Sequence, residues 1–358
     1  MGTASTTPAP SPLIRRGFTR QTQPRDFIVR LYLGDLTMAE YLSPQHERVV
    51  VRLLASPMAR TEWPTWLLIP AVYVSWFGAL WWSHTLGLMA TTLLLILSCT
   101  WYMSLQHELV HGHPTRHRWL NKALGFAPLA VWFPYTLYAE SHLRHHNDAH
   151  LTLPGVDPET HYVSDEVWQR SGWFMRTLFL HRKRFWGRCV FGPAMAIAAV
   201  LHEAVDQLRA GNFKYLRMWT VHGAMLVAML VAIERFTIVP AWYYLLVVAY
   251  PALSLAMVRS YYEHRAAEDC KHRIAINEAS WPMRLLYLNN NYHLVHHDLP
   301  SLPWYLVAKV YRADRDAYLA RCGGFHIGGY AELIRRYGLT PVDAPVHPLQ
   351  PVSLERKL

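Results

Sequence analysis

One stretch limits the fold of this chain more than any other. Residues 86–104 contain no charged side chain and read LGLMATTLLLILSCTWYMS. Crossing a bilayer takes about 20 predominantly apolar residues, and three further stretches, 64–82, 219–233 and 239–258, come close to that length. Only Ser83, His84 and Thr85 separate the first two, and residues 234–238 separate the last two. The fold expected is therefore an all-α integral membrane protein, with four transmembrane helices in two hairpins. Composition agrees: 17% of the 358 residues are charged, against about 25% in soluble proteins.

Basic residues set the expected orientation. Residues 1–60 hold eight arginines, the first turn holds no Lys or Arg, and the second holds only Arg235. Both turns should thus face the non-cytoplasmic side and both termini the cytoplasm. The first apolar run starts beyond residue 60, too late for a cleaved leader. The chain divides into a disordered basic tail (1–24), an amphipathic N-terminal region (25–62), a membrane domain (63–325) and a C-terminal extension (326–358) that is Pro-rich from residue 341. Two apolar segments, 125–138 with Pro128 and Pro134 and 189–204 with Pro193, are expected to be interfacial or re-entrant rather than spanning.

The net charge of +10 fits nucleic acid, an anionic lipid surface or an acidic partner. The apolar runs favour the last two, and no nucleic-acid-binding signature accompanies the charge, so no nucleic acid is expected. The four cysteines, Cys99, Cys189, Cys270 and Cys322, form no CxxC pair, which argues against a disulfide framework or a thiolate metal site.

The chemistry lies in three histidine boxes: His107 and His111 as HxxxH, then His142, His145 and His146, and His293, His296 and His297, both as HxxHH. Histidines at i, i+3 and i+4 share one side of a helix, and a neutral imidazole ligates iron, copper, nickel and zinc. Eight imidazoles exceed the four ligands of a tetrahedral zinc and suit a two-metal site. On the expected topology every box falls on the cytoplasmic side. A rival pattern overlaps the first box: residues 107–111 are also HExxH, the zinc-protease motif with Glu108 as general base. That reading leaves both HxxHH boxes without a role. His113 could replace His111 or support it. His117, His150, His161, His202, His222 and His272 have no paired spacing and are expected to be structural or exposed. Glu108, Glu140, Asp148, Asp157, Glu263, Asp269 and Asp298 lie near the boxes and could accept the other ring N–H of a ligand histidine. The tract Asn289–Asn290–Asn291 could orient ligands, hold water or cap a helix.

The first box with its trailing Gly112 and His113, and the run from Asn290 through His297 to Pro300, Pro303, Trp304 and Tyr305, resemble the membrane fatty-acid desaturase and hydroxylase superfamily over roughly residues 60 to 325. That resemblance implies four membrane helices under a cytoplasmic cap, two iron ions held by about nine histidines, and O2-dependent attack on unactivated C–H bonds of a fatty acyl or related aliphatic chain. It adds His264, near the end of the fourth span, as the ninth ligand. Desaturation is the leading expectation, with aliphatic hydroxylation or decarboxylation to a terminal alkene as alternatives. Arg182, Lys183, Arg184 and Arg188 fit an acyl head group or the positive-inside rule, the latter being preferred. With no dinucleotide-binding glycine motif and no fused redox segment, an external electron donor is expected: ferredoxin, rubredoxin or cytochrome with its reductase.

Overall fold

The computed structural model describes residues 39–349. The expected tail (1–24), residues 25–38 of the N-terminal region, and the last residues of the extension lie outside them.

The chain enters through two short helices, α1 (Pro44–Leu54) and α2 (Pro57–Thr61), each with proline in its first turn and a serine cap. The Ser43 and Ser56 hydroxyls accept the backbone N–H of His46 and Ala59, satisfying donors that a helix start leaves free. Next come α3 (Trp63–Trp81) and α4 (Ser83–Val110), joined at Trp82. The expected turn at 83–85 is instead helical, and the break falls at Gly87, whose φ of 75° only glycine adopts freely. At 1.5 Å per residue, the run beyond the break, residues 88–110 of α4, extends about 35 Å, against a hydrocarbon core of about 30 Å. The excess carries His107 beyond the apolar stretch.

Residues 125–134 form an irregular loop, as their prolines predict, leading into α6 (Tyr135–His145) after the short α5 (Arg118–Leu124). Such backbone needs partners where water is scarce. The Tyr102 hydroxyl lies 2.7 Å from the carbonyls of both Gly125 and Ala127 and shares its one proton between them, and Gln106 donates to Gly125 at 2.8 Å. Tyr244 and His222 donate to the Leu129 and Val131 carbonyls. The loop is thus pinned between the helices.

After α7 (Asp165–Arg170) and α8 (Trp173–Arg182) come α9 (Phe185–Arg209), α10 (Phe213–Phe236) and α11 (Ala241–Tyr262). Five helices among the described residues, α3, α4, α9, α10 and α11, are long and apolar enough to cross a membrane, one more than expected from the sequence. The addition is α9, which runs unbroken through Pro193. A proline removes one N–H and orphans the carbonyl four residues earlier. Here that carbonyl belongs to Cys189, and the Ser254 hydroxyl of α11 donates to it at 2.7 Å.

The remaining chain, α12 (Trp281–Leu286), α13 (His293–Asp298), α14 (Trp304–Ala313), α15 (Arg315–Arg321) and α16 (Tyr330–Tyr337), is short-helical. A two-residue parallel pair, β1 (Ile276–Asn277) with β2 (His326–Ile327), ties its ends together. Of three separate cores among the described residues, two are large. One, including Val72, Trp76, Leu95, Cys99 and Tyr244, joins α3, α4 and α11. The other joins α1 to α13, α14 and α15 through Val50, Leu54, Leu294, Val310, Tyr311 and Tyr318. Residues 341–349 also pack on the body: Lys183 pairs with Asp343 at 2.7 Å, and Val163 and His347 bond backbone to backbone at 3.0 Å.

Candidate metal centre

Three helix ends and one loop deliver imidazoles to a single place. His107 and His111 come from the end of α4, His142, His145 and His146 from the end of α6, and His293, His296 and His297 from α13. His264 follows α11, its strand-like backbone paired with Ile274. The nine form two groups, one of His107, His111, His142, His146 and His296, the other of His145, His264, His293 and His297. Within each group, one nitrogen per residue lies within 4.8 Å of all the others.

Helix geometry dictates this partition. At about 100° per residue, positions i and i+4 lie about 40° apart, whereas i+3 and i+4 lie about 100° apart. So His142 and His146 turn to the first group and His145 to the second. In α13 the roles reverse, with His293 and His297 in the second group and His296 in the first.

In the first group Nε2 atoms meet at 3.0 Å (His111–His142), 3.1 Å (His142–His146) and 3.0 Å (His146–His296). In the second they meet at 3.0 Å (His145–His264), 3.0 Å (His264–His293) and 3.2 Å (His293–His297). Four of the opposite nitrogens face acceptors, while Nδ1 of His146 and of His264 has no partner. His145 Nδ1 donates to Asp157 at 2.9 Å, His142 Nδ1 to Glu159 at 3.0 Å and His297 Nδ1 to Asp148 at 2.9 Å. His293 Nδ1 lies 3.2 Å from the Asn290 side-chain oxygen and 3.6 Å from Glu263. A proton on Nδ1 leaves Nε2 a bare lone pair, and lone pairs facing one another at 3.0 Å call for a cation between them: a metal ion in either group or, at the His145–His264 edge of the ion-free protein, a proton on His145. Nitrogens about 2.1 Å from an ion are about 3.0 Å apart at right angles and about 3.4 Å apart in a tetrahedron. The donor set fits two metal ions.

Electrostatics sets one histidine apart from the rest. Burial, reinforced by neighbouring imidazoles, pushes His111, His146, His293, His296 and His297 well below the usual imidazole range. Burial outweighs the Glu159 carboxylate at His142, which is also lowered, and takes His264 down to about 3. At His145 burial loses to the carboxylates of Glu159 and Asp157, and the imidazole is raised to about 9.

Of the seven acids marked in the sequence, Asp148, Asp157 and Glu263 face ligand-candidate histidines. Glu108 approaches His107 only to 3.8 Å and accepts the Trp304 N–H at 3.1 Å. Glu140 pairs with Lys214, Asp298 with Lys271 and Arg321, and Asp269 lies beside His272. Glu159 was not foreseen. It follows its histidine by 17 residues in an irregular loop, where no spacing rule operates. His113 stands outside both groups, held by Glu62 at 2.8 Å.

Each group adjoins a cavity. One of about 150 Å³ reaches His107 and Asn290, and one of about 390 Å³ reaches His264, Glu159 and Glu263. Phe133, Tyr138, Met257 and Ser260 line both.

The family model described as Fatty acid desaturase matches residues 85–328, a span that includes all nine histidines. No curated protein matches the chain.

Proposed function

The chain belongs to the fatty acid desaturase family, an oxidoreductase family, and on that premise we propose that it is an O2-dependent di-iron enzyme that desaturates a fatty acyl or related aliphatic chain. The observation that carries the reading is the pairing of a five-histidine and a four-histidine group, each with Nε2 edges near 3 Å. Five nitrogens exceed a tetrahedral zinc shell, and edges near 3.0 Å suit right-angle coordination. The commitment of Glu108 to Trp304 speaks against its serving as the base of a HExxH hydrolase.

Two irons held by these histidines would supply the activation of dioxygen needed to attack an unactivated C–H bond. The protein's own residues do the rest. Asp157, Glu159 and Asp148 hold the Nδ1 protons of His145, His142 and His297 and fix those rings. Phe133, Leu137, Met195 and Met257 provide apolar wall for an alkyl chain and keep water from it.

The membrane protein is proposed to cross four times, with α9 along the membrane face. The first two boxes precede α9 and His264 follows α11, yet all meet at one place, so the crossings between them must be even in number. Both ends of α9 lie near the level of the site. Phe185 packs on Tyr261 at 5.4 Å between ring centres. Glu203 meets Tyr215 at 3.1 Å, beside the Lys214–Glu140 pair that anchors the start of α10 to α6. The short-helical region would then form a cap, cytoplasmic by the arginine distribution. Electrons would come from an external carrier, a ferredoxin, rubredoxin or cytochrome with its reductase; such carriers are commonly acidic and suit a basic face.

The test is gas chromatography–mass spectrometry, headspace included, on cells fed saturated fatty acids, with His296→Ala as the blank. An internal unsaturated acid absent from the blank is expected. A hydroxylated acid, or a terminal alkene one carbon shorter, would overturn desaturation within the same centre.

A further inference from the structure

The larger cavity has a second chemistry besides the histidines. Two guanidiniums, Arg182 and Arg188, also line it. Arg188 is 3% exposed. It donates to His161 Nε2 at 2.6 Å and lies 3.4 Å from the Ser260 hydroxyl, while its Nε–H has no partner. Arg182 donates to the His161 carbonyl at 2.8 Å, lies over the Phe179 ring, and also leaves its Nε–H unpartnered. Among the described residues neither guanidinium forms an ion pair. Of the nearby acids, Asp343 pairs with Lys183, Asp157 and Glu159 with the histidines, and Glu203 with Tyr215; Glu263, 3.7 Å from Arg259, acts on Arg188 only through space, with no contact ion pair.

Burying a cation without a counter-charge is costly. The positive-inside rule explains basic side chains that reach headgroups and water, as it explains Arg184, which bonds to His181 on the preceding helix and lies outside the cavity lining, although its Nε–H is also unpartnered. It does not explain a guanidinium buried beside a cavity with an N–H to spare. The rigid fork of arginine matches the two oxygens of a carboxylate or phosphate.

We infer that Arg182 and Arg188 bind the oxyanion head of the substrate, with its alkyl chain lying along Phe133, Leu137, Met195 and Met257 toward His264. The inference rests on the aliphatic-substrate reading above and narrows it from any apolar chain to an amphiphile with an anionic end. The oxyanion is either the carboxylate of a free fatty acid or the phosphate of a lipid or acyl carrier. His161, between the two guanidiniums, acts as an acceptor that keeps both turned to the cavity.

The test needs binding and no turnover. The purified full chain is photolabelled with a diazirine-bearing hexadecanoic acid and competed with hexadecanoate, hexadecyl phosphate and hexadecanol. At least one anion is expected to compete about tenfold better than the alcohol, the scale of a lost charge-assisted contact. Better competition by hexadecanoate assigns a free carboxylate, and better competition by hexadecyl phosphate assigns a phosphate head. Arg182→Gln and Arg188→Gln are expected to shrink the preference to within about twofold, with bound iron unchanged. If Arg188→Gln does not accumulate, Arg182→Gln and the wild-type comparison still decide. Equal competition by all three in the wild-type protein overturns the oxyanion site and leaves the aliphatic reading standing. Competition by none of them overturns both.

Discussion

The five-histidine group and the four-histidine group are built from the same parts in opposite roles. Each HxxHH helix gives its i, i+4 pair to one group and its i+3 residue to the other. What differs is the completing element. Two turns of the same helix end, His107 and His111, complete the first group. The second has only His264, on irregular backbone after α11, and faces Glu159, Glu263 and the larger cavity. Both groups adjoin a cavity, about 150 Å³ beside the five-histidine group and about 390 Å³ beside the other, so the second keeps more room beside its ligands. A catalytic site needs such an open position, and a closed shell does not provide it. On the proposed function, the difference gives substrate and oxygen the roomier approach from the four-histidine side.

The largest effect should come from removing ligands on the two sides. His293→Ala leaves three histidines in its group, and His111→Ala leaves four in the other. Bound iron measured by plasma mass spectrometry should fall by about one ion per chain in the first and by less in the second. Turnover should be lost in His293→Ala. Equal iron loss in both variants would break the distinction.

Removal of the carboxylates behind the rings should be next in size. Asp157→Asn and Glu159→Gln should each lower iron affinity or activity by about 10- to 100-fold, read by chelator competition, with protein yield unchanged. An effect smaller than twofold would mean that the rings are oriented by packing alone.

The groups should also differ in pH dependence. His145, raised to about 9, carries a proton at neutral pH in the ion-free protein, so iron entering its group must displace that proton. Affinity there should rise with pH up to about 9. His111, His142, His146 and His296 are lowered, so loading of the first group should be flat above pH 7. The proton on His145 also stabilises the ion-free fold below its ordinary pKa, and that contribution is lost as pH rises through 9. Asp157→Asn should flatten the second group's titration.

Glu108→Gln should have the smallest effect. Its acceptor role toward the Trp304 N–H survives in the amide, so activity should fall only a few-fold. Complete loss would restore the HExxH reading.

The sequence made the boxes legible because i, i+3 and i+4 spacing on a helix is a periodic signal, and the charge-free run 86–104 made the membrane setting legible for the same reason. His264 has no periodic partner and came only through the resemblance. The split into two groups follows from the same spacing but needs the rotation of α6 and α13 relative to each other, which tertiary packing sets. The length of α9 was misjudged because Pro193 reads as a break, and the compensating donor, Ser254, lies 61 residues away. Glu159 owes its place to burial beside a cavity, and a residue's burial partners are not encoded in its neighbours; Arg182 and Arg188 stand in the sequence as head-group candidates, but their place beside that cavity is not legible there.

The central claim is that these nine histidines hold two ions of iron. The most direct measurement is the metal content of the purified wild-type chain, with Mössbauer spectra of protein loaded with iron-57. The account predicts two irons per chain in two distinguishable nitrogen-rich environments. One zinc per chain, with no iron retained after reconstitution, would contradict it.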